Sequence, residues 1–388
     1  MAEFDFSKLK QTYENFREPK ISVFIDGQEM NEQQRLTVKD VEVELTSGYE
    51  ASIATVTLGG VYDSASQSFE IKKTKQYMYL GSTIVIYMGY ATVLREVFRG
   101  FIAKVHFIVP AADSGETPSV ELTCMDVKGL MMANRHSRKL KALYFSDAVK
   151  EILEGYPIFS ETGPGGSLFM ETNIGTTPDK PPGAGAGGPG QAGDRRVEMV
   201  EESDYDFMVK AAKRYNFDFF VVGKTLYFIE AKKNHTPLIV LKPGFGLVSV
   251  DVGYDMTGLV KEVVVRNIDM AQGKYIGDKK KSKNKISLGN KAKPLIEKQS
   301  LVYIDPTTES KEEAGYRASY LLETIDYRLG SISGEALGMP EIVPGRFITL
   351  EDFGTPVNNE FYLTNVKHTF LDNKYKTTFE GCANSIGQ

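Results

Sequence analysis

The sequence predicts a mainly β chain with an α+β insertion, in which two antiparallel β-barrels flank a small α+β domain. Three observations predict it. Short runs of β-branched and aromatic residues alternate with polar ones and stop at Gly, Asp or Asn. The helical patterns are confined to the middle of the chain and one later stretch. The first and last β regions resemble each other.

From Lys20 the alternation is plain. KISVFIDG places Ile21, Val23 and Ile25 on one face and turns at Asp26-Gly27. VKDVEVELTSGYEASIATVTLGG repeats it with Val41, Val43 and Leu45, then Ile53, Val56 and Leu58. STIVIYMGY, VFRGFIAKVHFIV and SVELTCMDV follow, each a strand-length segment between turn signals. This first barrel is expected over 21–130, after an N-terminal arm at 1–20.

The middle, 131–242, reads as the insertion. In FSDAVKEILEGY, Ser146 is the expected N-cap, and Ala148, Val149, Ile152 and Leu153 share a helical face. SDYDFMVKAAKRYNF sets Phe207, Ala211 and Tyr215 at i, i+4 and i+8 behind Asp204 and Asp206. DFFVVGKTLYFIEAKK is a hairpin pivoting on Gly223-Lys224. Between the two helices, 175–196 is dominated by Gly and Pro. It is expected to be a disordered loop, since it buries too little to offset its ordering entropy. It has no G-x-x-x-x-G-K-[ST] and no strand feeding it, so it is no phosphate loop.

The second barrel is expected over 243–388, with a Lys-rich loop at 271–295 and a helix at 309–328. That helix groups Ala314, Ala318, Leu321, Leu322 and Ile325 on one face. The chain then ends in PGRFITLEDFG, EFYLTNVKHTFLD and YKTTFEGCANS, three strands. These parallel LGSTIVIYMGY, FRGFIAKVHFIV and SVELTCMD. In both sets a Gly (Gly81, Gly345) opens a strand, a His (His106, His368) lies in the next, and a Cys (Cys124, Cys382) in the third. Three copies of such a duplicated chain make a ring of six similar domains, which matches sixfold and threefold partners at once.

Composition narrows the function. The 388 residues exceed the usual single core, so two or three domains are expected. A net charge of -5 speaks against a general nucleic-acid or anionic-membrane binder. No apolar run approaches the roughly 20 residues that span a bilayer, and MAEFDFSKLKQTYENF lacks the apolar core of a secretory signal. Synthesis in the cytoplasm is expected. Two Cys are too few for a disulfide framework or zinc site. The four His never share a metal-like spacing. His106 and His368 are expected to pack or hydrogen-bond at matching positions, and both Cys to be small buried strand residues. Glu201, Glu202, Asp204 and Asp206 cluster at a helix start, where capping and the dipole explain them without catalysis. No catalytic, cofactor-binding or metal-binding residue is assigned, and no cofactor is expected.

Two segments are candidates for contact. Phe4, Phe6, Tyr13 and Phe16 make the arm aromatic before the first strand, so a neighbouring subunit is expected to cover them. Lys279, Lys280, Lys281 and Lys283 are candidates for touching a lumen cargo such as DNA, or a partner. They lack interleaved aromatics beyond Tyr275, which weakens a stacking role.

Three stretches also resemble the late control D family of phage baseplate hubs, which is similar to the T-even phage hub and the hub half of type VI secretion spike proteins. They are ESDYDFMVKAAKRYNFDFFVVGKTLYF, the helix at 309–328 with GEALGMPEIVPGRFITL, and EFYLTNVKHTF with its closing strand. They cover about the second half of the chain and carry no catalytic motif. The resemblance implies tube-protein-like barrels and a homotrimer with a central channel. Its partners would be a tail tube or tube-initiator protein above, a spike below, baseplate wedge proteins around it and tape-measure protein within. The chain stops soon after the second barrel, so a separate trimeric spike protein is expected. The resemblance places the particle in a phage tail, a bacteriocin or an extracellular injection device. The rival readings are a peptidoglycan-hydrolase hub and a cell-wall-binding module.

Overall fold

The computed structural model describes residues 2–30, 37–69, 79–111, 113–159, 170–178, 197–269, 273–283, 291–308 and 310–387. The expected Gly/Pro loop falls outside the described residues except at 175–178.

The first β region supplies β1 (Pro19–Ile25), β2 (Gln28–Glu29), β3 (Thr37–Thr46), β4 (Ile53–Gly59) and a short pair, β5 (Tyr62–Asp63) and β6 (Ser68–Phe69). It continues with β7 (Thr83–Tyr90), β8 (Val93–Ile108) and β9 (Ser119–Met125). The insertion holds β10 (His136–Lys139), β11 (Glu171–Ile174), β12 (Glu198–Glu202), β13 (Phe217–Val222) and β14 (Thr225–Glu230). Its helices Phe145–Leu153 and Asp204–Tyr215 bury the predicted apolar faces. Ser203 caps the second helix in a reciprocal box with Asp206. Ser146 is not the cap of the first. Tyr144 holds that place, and the Ser146 amide donates to Thr177 Oγ1 at 3.0 Å.

The last region supplies β15 (Pro237–Leu241), β16 (Leu247–Tyr254), β17 (Glu262–Asp269), β18 (Lys274–Lys281) and β19 (Ser300–Ile304). After the helix Lys311–Asp326 come β20 (Gly330–Leu337), β21 (Phe347–Leu350), β22 (Glu360–Leu371) and β23 (Lys374–Ala383).

The fold is mainly β with α+β additions, as expected, but the two β regions share one sheet of 13 strands. Its path runs β16-β20-β23-β22-β3-β4-β9-β8-β7-β1-β2, with β21 and β15 beside β22. The seam is β22 against β3, from Asn365 opposite Thr46 to Leu371 opposite Asp40. One apolar core runs under both halves, from Val41, Val43 and Ile86 to Phe361, Val366 and Phe379.

The strand orders of the halves correspond. The first reads β3-β4-β9-β8-β7-β1 and the second β16-β20-β23-β22-β21-β15. Only the last pairing differs, since β1 meets β7 antiparallel and β15 meets β21 parallel.

A second α+β unit was not expected from the sequence. β18, β17 and β19 form their own three-stranded sheet, covered by the helix Lys311–Asp326. Ala314, Ala318, Leu322 and Ile325 pack there on Val263 and Val265. The stretch read as a Lys-rich loop is therefore a strand over 274–281 and a helical turn at Ala292–Ile296, with 284–290 outside the described residues.

Candidate functional site: the seam and its clamps

The N-terminal arm bridges the two halves, meeting Tyr90 of the first and Leu238, Phe245 and Glu341 of the second. Asp5 caps the helix Phe6–Thr12 by accepting from the Lys8 amide at 3.0 Å. The Phe4 amide donates to Leu238 O at 2.8 Å. Phe6 stacks on Phe16 and meets Phe245 edge-on, each at 5.8 Å. Tyr13 is 0% exposed, 5.4 Å from Tyr90, and donates to Glu341 Oε1 at 2.5 Å. Tyr90 belongs to the first half and in turn lies 5.7 Å from Tyr375 of the second. Burial raises both the Tyr13 phenol and the Glu341 carboxyl above their ordinary ranges.

These contacts correct the premise behind the arm expectation. Phe4, Phe6 and Phe16 are partly covered by their own chain and Tyr13 completely, so the arm is no exposed aromatic strip awaiting a neighbour. The sequence could not show the Tyr90, Tyr375 and Glu341 side of the contact, because those residues lie far along the chain.

The insertion is anchored on the first half through a buried ion pair. Lys128 follows β9, is 0% exposed, and sets its Nζ 3.9 Å from Asp126 Oδ2. The ammonium donates to Glu50 O and, at 3.4 Å, to Gly48 O, and lies 5.7 Å over the Phe219 ring. Asp126 accepts from the Ser52 and Lys128 amides at 2.8 and 2.9 Å. Burial pushes the carboxyl up and the ammonium down, and their mutual attraction opposes both shifts.

Lys232 forms a second anchor. Its Nζ lies 3.2 Å from Glu323 Oε1 and 5.0 Å from the centroids of both Tyr327 and Tyr362. Tyr362 donates to Asp218 Oδ2 at 2.6 Å. A cavity of about 300 Å3 opens beside this cluster, lined by Asp218, Phe220, Tyr227, Arg346 and Tyr362 among others.

The acids at the start of the helix Asp204–Tyr215 are used structurally. Asp204 accepts from Asn134 Nδ2 and Tyr156 OH, each at 2.6 Å, with His136 Nε2 at 3.3 Å. Glu202 pairs with Lys210 at 2.6 Å. Among the described residues no three His, Cys, Asp or Glu side chains gather as metal ligands.

The His and Cys match between the halves is out by one residue. Gly81 and Gly345 do correspond, with φ of +86° and +80°. The Gly81 amide donates to Ile102 O at 2.8 Å and the Gly345 amide to Leu363 O at 2.9 Å. Ile102 thus matches Leu363, and each precedes a bulge against the next strand. Counting on, His368 matches Phe107 rather than His106, and Cys124 matches Gly381. A one-residue offset reverses the face. His106 is accordingly exposed. His368 is 0% exposed, with Nδ1 3.0 Å from Tyr375 OH and 3.1 Å from Thr377 Oγ1. Burial lowers its pKa to about 4. Cys124 is buried and its thiol is pushed up, whereas Cys382 is only partly buried and is raised to about 11. His235 stacks on Phe347 at 4.7 Å.

The lysines lie on and just after β18. Lys279 is exposed, 3.6 Å from Glu262, and Lys280 is 3.7 Å from Asp278. Lys281 and Lys283 are exposed.

No known family model matches this chain, and no curated protein matches it. Solved structures do. A tail protein from Neisseria meningitidis MC58 superposes with a TM-score of 0.65 at 11% identity, covering 95% of this chain and 97% of that one. The 43 kDa tail protein of prophage MuSo2 from Shewanella oneidensis gives 0.63 at 8% identity, covering 93% and 97%. An E. coli type VI secretion component, described as similar to the T4 tail proteins gp27 and gp5, gives 0.54 at 11% identity, covering 92% and 76%. The chain therefore has the fold of these tail proteins over almost its whole length.

Proposed function

We propose that this chain is the structural hub of a contractile tail or related injection particle. As a homotrimer it presents six similar half-sheets to a sixfold tail tube or tube-initiator protein, and a threefold face to a separate trimeric spike. Baseplate wedge proteins would surround it and tape-measure protein or DNA would pass its channel. It would be made in the bacterial cytoplasm and leave as part of the particle. Its work is binding and geometry, without a catalytic step.

The observation that carries this reading is the repeated strand order, with glycines and bulges in register. Such a chain offers near-equal surfaces twice, which suits a junction between unlike symmetries. The whole-length likeness to tail proteins supports it. So does the use of the clustered acids in capping and ion pairs, which leaves no free carboxylate pair at that helix for hydrolysis.

Averaged electron micrographs of the purified chain test it. Six-lobed rings with threefold symmetry and a central channel are expected. Compact single chains, or particles with a twofold axis, would count against the hub.

A further inference from the structure

The chain contains one filled junction between halves and the two unfilled edges of a second. In the filled one, β3 lies against the end of β22, and Val41, Val43, Val366 and His368 are all 0% exposed. The counterpart of β3 is β16, and bulges fix the register. Val38 opposes Leu58 and then Asp40 opposes Thr57, just as Leu247 opposes Ala336 and then Ser249 opposes Glu335. Val41 and Val43 therefore match Val250 and Val252. The counterpart of the end of β22 is the end of β8, where Val366, His368 and Phe370 match Val105, Phe107 and Val109.

Neither edge has a further strand partner among the described residues, although the Phe69 ring of β6 meets Phe107 edge-on at 5.1 Å. β16 has β20 as its strand partner, and past Ile102 the end of β8 has β9 on one side only. The apolar positions show it. Phe107 and Val109 are 44% and 61% exposed, whereas His368 and Phe370 are 0% and 5%.

We propose that β16 of one copy pairs antiparallel with residues 104–110 of a second copy, and that three such contacts close the ring. This rests on the trimeric reading above and names the surface that makes it. The transferred register puts Phe107 opposite Val252 and Val109 opposite Val250, so the inward faces continue the apolar core. On the outward face Lys104 stands opposite Asp255 and Ile108 opposite Asp251, with His106 between the two acids. The filled junction has the same polarity, Lys367 of β22 pairing with Glu42 of β3.

Pro110 fits as well. The Ser47 amide donates to Thr364 O at 2.9 Å, which fixes the alternation of the filled ladder. The position matching Pro110 is Leu371, whose amide points away from β3, so a missing N–H costs nothing there. The contact joins two different edges and is therefore heterologous, and it forms a ring when the rotation closes.

Paired cysteines test the register. Ile108 and Asp251 would form a non-hydrogen-bonded pair with Cα atoms about 4.5 Å apart, within disulfide reach. The Ile108→Cys, Asp251→Cys chain is oxidised beside both single variants and a mismatched Ile108→Cys, Val252→Cys chain, each checked for native circular dichroism. Covalent species of two and three chains from the matched pair alone are expected. A trimer by light scattering that cross-links no better in the matched than in the mismatched chain overturns the strand pairing and leaves the trimer standing. Equal cross-linking by a single variant means a twofold contact and overturns it too. Chains that stay single and uncross-linked at the highest soluble concentration sink the ring, and the pairing with it. As a second readout, Lys104→Glu is expected to raise trimer dissociation about fivefold, and adding Asp255→Lys to restore it. Dissociation unmoved by either change contradicts the proposed facing of these edges.

Discussion

The two halves of the large sheet share strand order, opening glycines and bulges, yet they bury different chemistry at matching positions. After β9 the first half places Asp126 and Lys128 in a buried ion pair; the second half has a buried Ala383 at the position matching Asp126. Near the seam the second half buries His368 where the first half exposes Phe107. Backbone devices are thus what the halves have in common. Side chains follow what each half must meet: the insertion in one case, the arm and the seam in the other.

The largest effect is expected at the ion pair, the feature with no counterpart. Lys128→Ala leaves Asp126 buried without its charge partner, and a loss of roughly 3–5 kcal/mol is expected in denaturant unfolding. Ala383→Ser, at the place matching Asp126, should cost far less. Equal losses would erase the contrast.

His368 comes next. Its folded pKa of about 4 lies below the ordinary 6.5, so the unfolded chain binds the extra proton first as pH falls. Its contribution is complete above pH 6.5, declines through the window between, and is gone below 4. The full span is roughly 3 kcal/mol. Replacing it by its counterpart, His368→Phe, should flatten stability over that window, as read by melting temperature against pH. An unchanged slope would show that other groups govern it.

Removing residues 2–16 should lower the melting temperature of the single chain, because the arm packs on Tyr90 and Phe245 across the halves. Unchanged melting with a weakened trimer would restore the subunit-contact reading of Phe4, Phe6, Tyr13 and Phe16. The smallest contrast is between the glycines. Both have positive φ, so Gly81→Ala should cost roughly 1–2 kcal/mol. Gly345→Ala should cost more, since its Cβ would stand 2.4 Å from the Phe220 ring, whereas at Gly81 it meets nothing.

Much of this was legible beforehand. Period-two alternation marked the strands of the first half and β21, β22 and β23 of the second, while β15, β16 and β20 went unmarked; Ser203 with Asp206 marked the start of its helix. Gly81 and Gly345 pointed to the duplication because a positive φ restricts the residue type. His and Cys misled because a strand carries them on either face, and one residue of offset separates a buried imidazole from an exposed one. Lys274–Lys281 looked like a loop because charge hid its pairing with the Val-rich β17. Buried partners such as Glu341, Lys128 and Lys232 were invisible, since each is defined by residues distant in sequence.

The central claim is that the duplicated chain assembles as three copies. Multi-angle light scattering of the purified protein tests it directly. A mass of three times 43.1 kDa is expected, and a mass of one or two chains at every concentration would contradict the trimer.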